Sequence, residues 1–220
     1  MHWNKLKGLT LVEMVIVTAV IVILATITVL QLKDNTGRED LLMIKSGFLA
    51  NLNIVQNKSL TAKNVKICDA NSLVALCEDN TNLCDSGASC DSFIPNAYGV
   101  HLDKNTTSYI EFVDINPPTL DFQYSGIEEL LKTDYFLPLT HKDQKTGVSV
   151  ENIQAYNSSG DLIDYDHVDI TFIRQSGEMR FRNIGSPEPN LLFVVLKHVK
   201  SGRIIKFEFN RITGRISAIL

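Results

Sequence analysis

Between Leu9 and Leu32 run 24 residues whose only formal charge is Glu13. A helix needs about 20 apolar residues to cross the hydrocarbon core of a bilayer, so the run predicts a membrane-spanning helix over 9–32. Lys5 and Lys7 precede it, and the positive-inside rule assigns such a flank to the cytoplasmic side. The rest of the chain is then expected on the far side of the membrane. An ordinary secretory signal has a shorter apolar region, followed by small residues at its cleavage site. Here the small residue, Gly8, stands before the apolar run. Cleavage after Gly8 would release a basic leader, 1–8, and leave the hydrophobic helix on the mature chain. The new α-amino group would sit on Leu9, one helical turn from Glu13. A carboxylate inside a membrane is costly and usually has a functional partner. An amine from the same or a neighbouring chain would offset the cost of burying both charges. The plainer alternative is a membrane anchor with Glu13 at the headgroup level.

The stretch Gly8-Leu9-Thr10-Leu11-Val12-Glu13-Met14 resembles the prepilin-peptidase site of type IV pilins and type II secretion pseudopilins. The resemblance implies cleavage after Gly8, N-methylation of Leu9, and a role for Glu13 in assembling a helical filament. Leu9 departs from the phenylalanine most common at that position. The partners it implies are prepilin peptidase, other pilin or pseudopilin subunits and an inner-membrane assembly platform. The location it implies is the cytoplasmic (inner) membrane, crossed once with the C-terminal domain outside, and then an extracytoplasmic filament.

Removing eight residues from 220 leaves 212, and subtracting the anchor leaves material for one compact domain over 33–220. Losing Lys5 and Lys7 moves the formal charge from −4 to −6 (−4 − 2), which does not indicate a globally basic, nucleic-acid-coating surface. The signs are segregated: Asp103 to Asp169 holds 13 acidic and 4 basic residues, Arg174 to Arg215 holds 3 acidic and 9 basic.

Past the anchor, Leu41, Ile44, Phe48, Leu52, Val55 and Ala62 recur at three- and four-residue steps with polar residues between them. This spacing predicts that one long helix continues to about Lys63, amphipathic over 33–63. Gly37 and Gly47 each weaken a helix by about 1 kcal/mol relative to alanine, so a kink or frayed turn is expected near 35–37. Segment 64–96 is a cysteine-containing loop flanked by candidate strands at 65–68 and 73–76. Its cysteines, Cys68, Cys77, Cys84 and Cys90, fall within 23 residues without a Cys-x-x-Cys pair, which disfavours zinc. In an exported domain one or two disulfides are expected, and four cysteines allow three connectivities; free thiols would be the state in a reducing compartment.

The region 97–220 reads as β-rich. Segments 97–102 and 108–113 form a hairpin signal around the turn-forming 103–107, and Pro117-Pro118 is a breaker. Segment 127–131 fits either a helical turn or entry into a strand ending near 139. Strands are expected at 148–155, 168–174, 178–182, 191–199, 203–209 and 215–219. Alternation places Ile205, Phe207 and Phe209 on one face, and the stripe from Leu41 to Ala62 is the available cover. The fold class is therefore α+β, a long N-terminal helix packed on antiparallel β-sheet. Tyr98-Gly99-Val100, Phe172 with Ser176-Gly177, and Thr213-Gly214-Arg215-Ile216 are similar, more loosely, to H-type minor pseudopilins and related minor pilins, which implies a type IV pilin-like domain.

No enzyme constellation emerges: there is no Gly-rich phosphate loop, His-Glu-x-x-His or Gly-x-Ser-x-Gly, and no cofactor is expected. His101, His141, His167 and His198 sit in different settings, with structural or exposed roles as the default. Asp161, Asp164 and Asp166 are a weak calcium candidate whose spacing is not an EF-hand; a solvated acidic turn is the favoured reading, with Asp169 pointing outward from a strand. The basic set Arg174, Arg180, Arg182, Lys197, Lys200, Arg203, Lys206, Arg211 and Arg215 raises DNA contact, since Arg180 and Arg182 share a strand face. No aromatic residues interleave to stack on bases, and a mixed-sign subunit interface explains the same residues. The sequence thus favours a minor pilin or pseudopilin, with a DNA-binding minor pilin of an uptake pilus as the alternative, using Arg180, Arg182, Arg203, Arg211 and Arg215.

Overall fold

The computed structural model describes residues 11–70, 73–76, 90–114, 130–135, 147–156, 159–183 and 188–219. Helix α1, Leu11–Leu60, is continuous over 50 residues, a rod of about 75 Å at the usual rise of about 1.5 Å per residue. Leu41, Ile44, Phe48, Leu52 and Val55 are all buried, whereas Leu42, Met43 and Ile54 are exposed. The apolar period therefore maps onto one buried stripe. Ala62 does not extend it. The last buried position is Ser59, and Ala62 lies beyond the helix with φ of 48°, the left-handed conformation that ends many helices. The Gln175 amide donates to the Ser59 carbonyl at 3.0 Å, satisfying a helix-end acceptor from the sheet.

Thirteen strands are present among the described residues. Strands β1 (Val65–Ala70), β2 (Leu73–Leu76) and β3 (Cys90–Phe93) form a small sheet in the order β2-β1-β3. Strands β4 (Ala97–Asp103), β5 (Ser108–Asp114), β6 (Leu130–Tyr135), β7 (Val148–Tyr156), β8 (Leu162–Tyr165), β9 (His167–Ile173) and β10 (Met179–Arg182) follow. The chain closes with β11 (Leu191–His198), β12 (Ile204–Asn210) and β13 (Arg215–Ile219). They make two five-stranded sheets, β10-β9-β4-β5-β6 and β13-β12-β11-β7-β8, and every pairing is antiparallel. The chain is thus α+β with an N-terminal apolar helix.

The second half of α1 packs against β4, β9 and β12, so a single stripe covers both five-stranded sheets. Phe48 is the pivot: its ring meets Tyr109 edge-on at 5.0 Å and Phe207 at 5.1 Å. Ile205, Phe207 and Phe209 are fully buried, as their alternation requires. The β4–β5 turn joins the sheets directly, because the Asn105 amide donates to the Val150 carbonyl at 2.7 Å and the Val150 amide to Thr106 at 2.9 Å. Two polar contacts add to the helix–sheet seam. Asn51 Nδ2 donates to the Tyr109 hydroxyl at 2.7 Å, and Lys58 pairs with the buried Glu111.

Gly99, at the centre of its sheet, is required by close approach: a Cβ there would lie 2.6 Å from Phe112 Cζ and 2.8 Å from Thr171 Cγ2. Two elements depart from the sequence reading: strand β3 falls inside the segment expected to be loop, and β8 occupies the run expected to be an acidic turn. Of the two alternatives for 127–131, strand entry is the one seen, with Leu130 and Leu131 opening β6.

Candidate functional site

Gly8 and Leu9 lie outside the described residues. Glu13 stands in the first described turn of α1. From Leu11 to Val29 the helix is long and apolar enough to cross a membrane, and none of it is buried by the domain. The apolar surface goes all the way round: Val12, Val15, Ile16, Val20, Ile21 and Leu24 are all exposed. A helix hydrophobic on every side needs burial in lipid or among other helices. The threonines within it do not oppose this. Thr18 donates to Met14 and Val15 carbonyls at 3.0 and 2.9 Å, Thr26 to Val22 at 2.8 Å and Thr28 to Leu24 at 2.9 Å. Each hydroxyl proton is satisfied within its own helix, which is the condition for polar groups in hydrocarbon.

Where α1 meets the domain, the helix touches the β11–β12 turn. Gly37 is buried there, and a Cβ on it would lie 2.5 Å from Ser201 Oγ. Gly37 is a point of close approach within a continuous helix. One turn on, Asp40 Oδ2 lies 3.2 Å from His198 Nε2, and His198 Nδ1 lies 2.9 Å from Ser201 Oγ. The Ser201 amide also donates to His198 Nδ1 at 3.1 Å, so this nitrogen is an acceptor and the Nε2–H faces Asp40. The Asp–His–Ser order resembles a hydrolytic relay, but the ring nitrogen beside Ser201 already receives a backbone proton. The arrangement closes the turn and ties it to the helix.

A second histidine cluster joins β4 and β9. His101 is the register partner of Asp169, and Asp103 that of His167, so two His-x-Asp pairs face each other head to tail. His101 Nδ1 lies 2.5 Å from Asp169 Oδ1, and its Nε2 lies 3.2 Å from Asp103 Oδ2. Asn183 Nδ2 donates to Asp169 Oδ2 at 2.6 Å, and the His167 ring centroid is 6.1 Å from that of His101. A neutral imidazole has one donor, so carboxylates on both nitrogens favour the imidazolium. Burial alone would lower the His101 pKa, but the hydrogen bond and charge of Asp169, joined by Asp103, outweigh it and raise the value. Asp169, expected to point outward, is fully buried; its carboxylate is retained inside because His101 and Asn183 satisfy it.

The remaining candidates separate. Asp161, Asp164 and Asp166 are exposed, and Asp164 Oδ1 accepts from Gln154 Nε2 at 2.7 Å. Among the described residues no three His, Cys, Asp or Glu side chains are placed to hold a metal ion, so the calcium candidate does not assemble. Arg180 and Arg182 do share the outer face of β10, as alternation requires. Carboxylates attend them, however: Arg180 reaches Glu178 at 2.6 Å and Glu188 at 3.3 Å, and Arg182 lies 3.8 Å from Glu188. Arg211, in the turn between β12 and β13, donates to the Pro189 carbonyl at 3.3 Å and to Asn190 Oδ1 at 2.8 Å. Arg203 precedes β12 and the exposed Arg215 opens the neighbouring β13, both in the sheet that does not contain β10. Lys206 lies 3.8 Å over the Phe193 ring and Lys197 pairs with Glu151 at 2.7 Å. The basic residues are therefore spread over two sheets, with Arg180, Arg182, Lys197, Lys206 and Arg211 engaged locally. Cys77 and Cys84 lie outside the described residues, and Cys68 and Cys90 stand on β1 and β3.

The two histidine clusters were missed in the sequence, where His101 and Asp169 stand 68 residues apart. The repeated His-x-Asp at 101–103 and 167–169 was the available signal. No family model, curated protein or solved structure matches the chain.

Proposed function

We propose that this chain is a minor pilin or pseudopilin, cleaved after Gly8 by prepilin peptidase, N-methylated on Leu9, and built into a type IV pilus or type II secretion pseudopilus. The observation that carries the reading is the division of α1. Its first half is apolar on all sides and left uncovered, and its second half buries one stripe in the domain. Such a helix is held in the bilayer before assembly and among neighbouring helices afterwards. The function is structural and involves no turnover by the chain itself. Other subunits and an inner-membrane assembly platform are its partners. The DNA-binding alternative is less supported, because Glu178 and Glu188 attend Arg180 and Arg182, two of the five arginines it would use.

In this reading Glu13 sets axial register by meeting the α-amine of a neighbouring subunit. Glu13→Ala removes the carboxylate and leaves the amine unpaired, and breaking one side of a buried pair costs about 3–5 kcal/mol. Before assembly the same group sits near the membrane surface, where water solvates it. Cleavage and membrane insertion should therefore survive the substitution, while recovery in sheared fibres falls sharply. Glu13→Ala chains entering fibres at the wild-type level would remove the pairing role.

A further inference from the structure

The cysteine segment carries more order than its composition implies. In the small sheet, β1 pairs with β3 through Val65–Phe93, Lys66–Ser92, Ile67–Asp91 and Cys68–Cys90. Two of the four cysteines are thus direct cross-strand partners. On its other side Cys68 is paired with Ala75 of β2, so the strand that continues toward Cys77 presents no cysteine opposite it. Directly opposed residues of antiparallel strands have Cα atoms about 4.5–5.5 Å apart. Disulfides span Cα separations of about 4.4–6.8 Å, so the backbone is already at bridging distance. Diagonal neighbours, at about 7–8 Å, are beyond it.

We propose that Cys68 and Cys90 form a disulfide that staples β3 to β1. The inference rests on the proposed export of the domain for its oxidant, but the choice of partners rests on the register alone. The oxidant is a disulfide-bearing thiol oxidoreductase, or glutathione disulfide outside the cell. One cysteine thiolate attacks that disulfide to give a mixed disulfide and release one thiol of the oxidant. The second thiolate then attacks the mixed disulfide, forming Cys68–Cys90 and releasing the other thiol. Two protons and two electrons leave the cysteine pair, and the oxidant's disulfide is reduced to two thiols. The bridge closes the chain on itself immediately before β4. From there, Asn96 is tied to the domain by its amide to the Asp114 carbonyl at 3.2 Å and by its carbonyl to the Arg174 amide at 2.9 Å.

Aspartates at 69, 79, 85 and 91 separate the four cysteines, so cleavage on the amino side of aspartate gives each cysteine its own peptide. The full-length chain, extracted from membranes into detergent with free thiols alkylated and without reduction, is digested in this way and mapped by mass. The expected product joins the peptide ending at Cys68 to the peptide Asp85–Cys90, and reduction abolishes it. A bridge from Cys68 to Cys77 or Cys84 overturns the pairing. If the extracted chain carries only alkylated cysteines, a second sample extracted without alkylation is oxidised in vitro with glutathione disulfide, then alkylated and mapped in the same way. A Cys68–Cys90 product then supports the pairing and counts against export, whereas any other partner for Cys68, or none, overturns the pairing itself.

Discussion

The two halves of α1 share one backbone and differ in how they dispose of apolar surface. From Leu11 to Val29 the exposed face is apolar on every side, and none of it is buried among the described residues. From Leu41 to Ser59 the buried residues follow three- and four-residue steps, and the opposite face carries Ser46, Asn53 and Asn57 to solvent. None of the first half is buried among the described residues, and its composition suits lipid or other such helices. The second half is the central rod of a folded domain, shared by two sheets. A continuous helix can thus belong to two solvents, and Gly37 and Asp40 at the β11–β12 turn mark where one gives way to the other.

Substitutions should separate the halves cleanly. The largest effect is expected at the pivot: Phe48→Ala removes the ring seated between Tyr109 and Phe207 and should destabilise the domain by about 3–5 kcal/mol. Thermal unfolding of the detergent-solubilised chain would record it, with membrane partition unchanged. A drop in partition with unaltered unfolding would merge what is separated here. Conversely, Val20→Arg should make insertion less favourable by about 2.5–3.5 kcal/mol and leave the domain's unfolding temperature where it was. Carbonate-resistant membrane fraction against melting temperature provides the two readouts.

The boundary itself gives a smaller, signed pair. Gly37→Ala places a methyl against Ser201 Oγ and Cβ at 2.5 and 2.8 Å and should cost about 1–3 kcal/mol by overpacking. Ser201→Gly in the same chain should relieve the clash. Gly47, with open space around its Cα, should respond oppositely, Gly47→Ala gaining up to about 1 kcal/mol. Equal responses at the two glycines would mean that helix propensity alone governs both.

The smallest effect is a pH dependence confined to the domain. His101 is held as the imidazolium by Asp169 and Asp103, with His167 and Asn183 beside them, and its folded pKa is raised. A raised folded value contributes stability fully present below the unfolded value of about 6.5 and lost as pH rises through the folded one. Denaturant midpoints should decline over that range, and His101→Gln should flatten the decline. A midpoint that climbs over the same interval would show that another group dominates.

What the sequence made legible was what repeats locally. The apolar run, the stripe from Leu41 to Val55 and the alternation of Ile205, Phe207 and Phe209 declare their faces within a few residues. Positions set by distant partners were not legible. Ala62 matches the helical period but falls past the helix end, because Ser59 and Gln175 terminate α1 against the sheet. Gly37 reads as a weak helix former and is a packing contact. Asp169 reads as an outward strand residue, since nothing near it in sequence shows that His101 is opposite. The acidic run conceals β8, whose Leu162 and Ile163 remain exposed and lend the strand no alternation to detect.

The central claim is that the uncovered half of α1 is delivered by a cleaved leader into a filament, and the mature N-terminus tests it most directly. In a host with prepilin peptidase, intact-mass measurement should show a chain beginning at Leu9 and carrying one added methyl group, with the full-length form accumulating when the peptidase is absent. A chain that retains residues 1–8 in the peptidase-competent host would contradict the account and leave α1 as an ordinary membrane anchor.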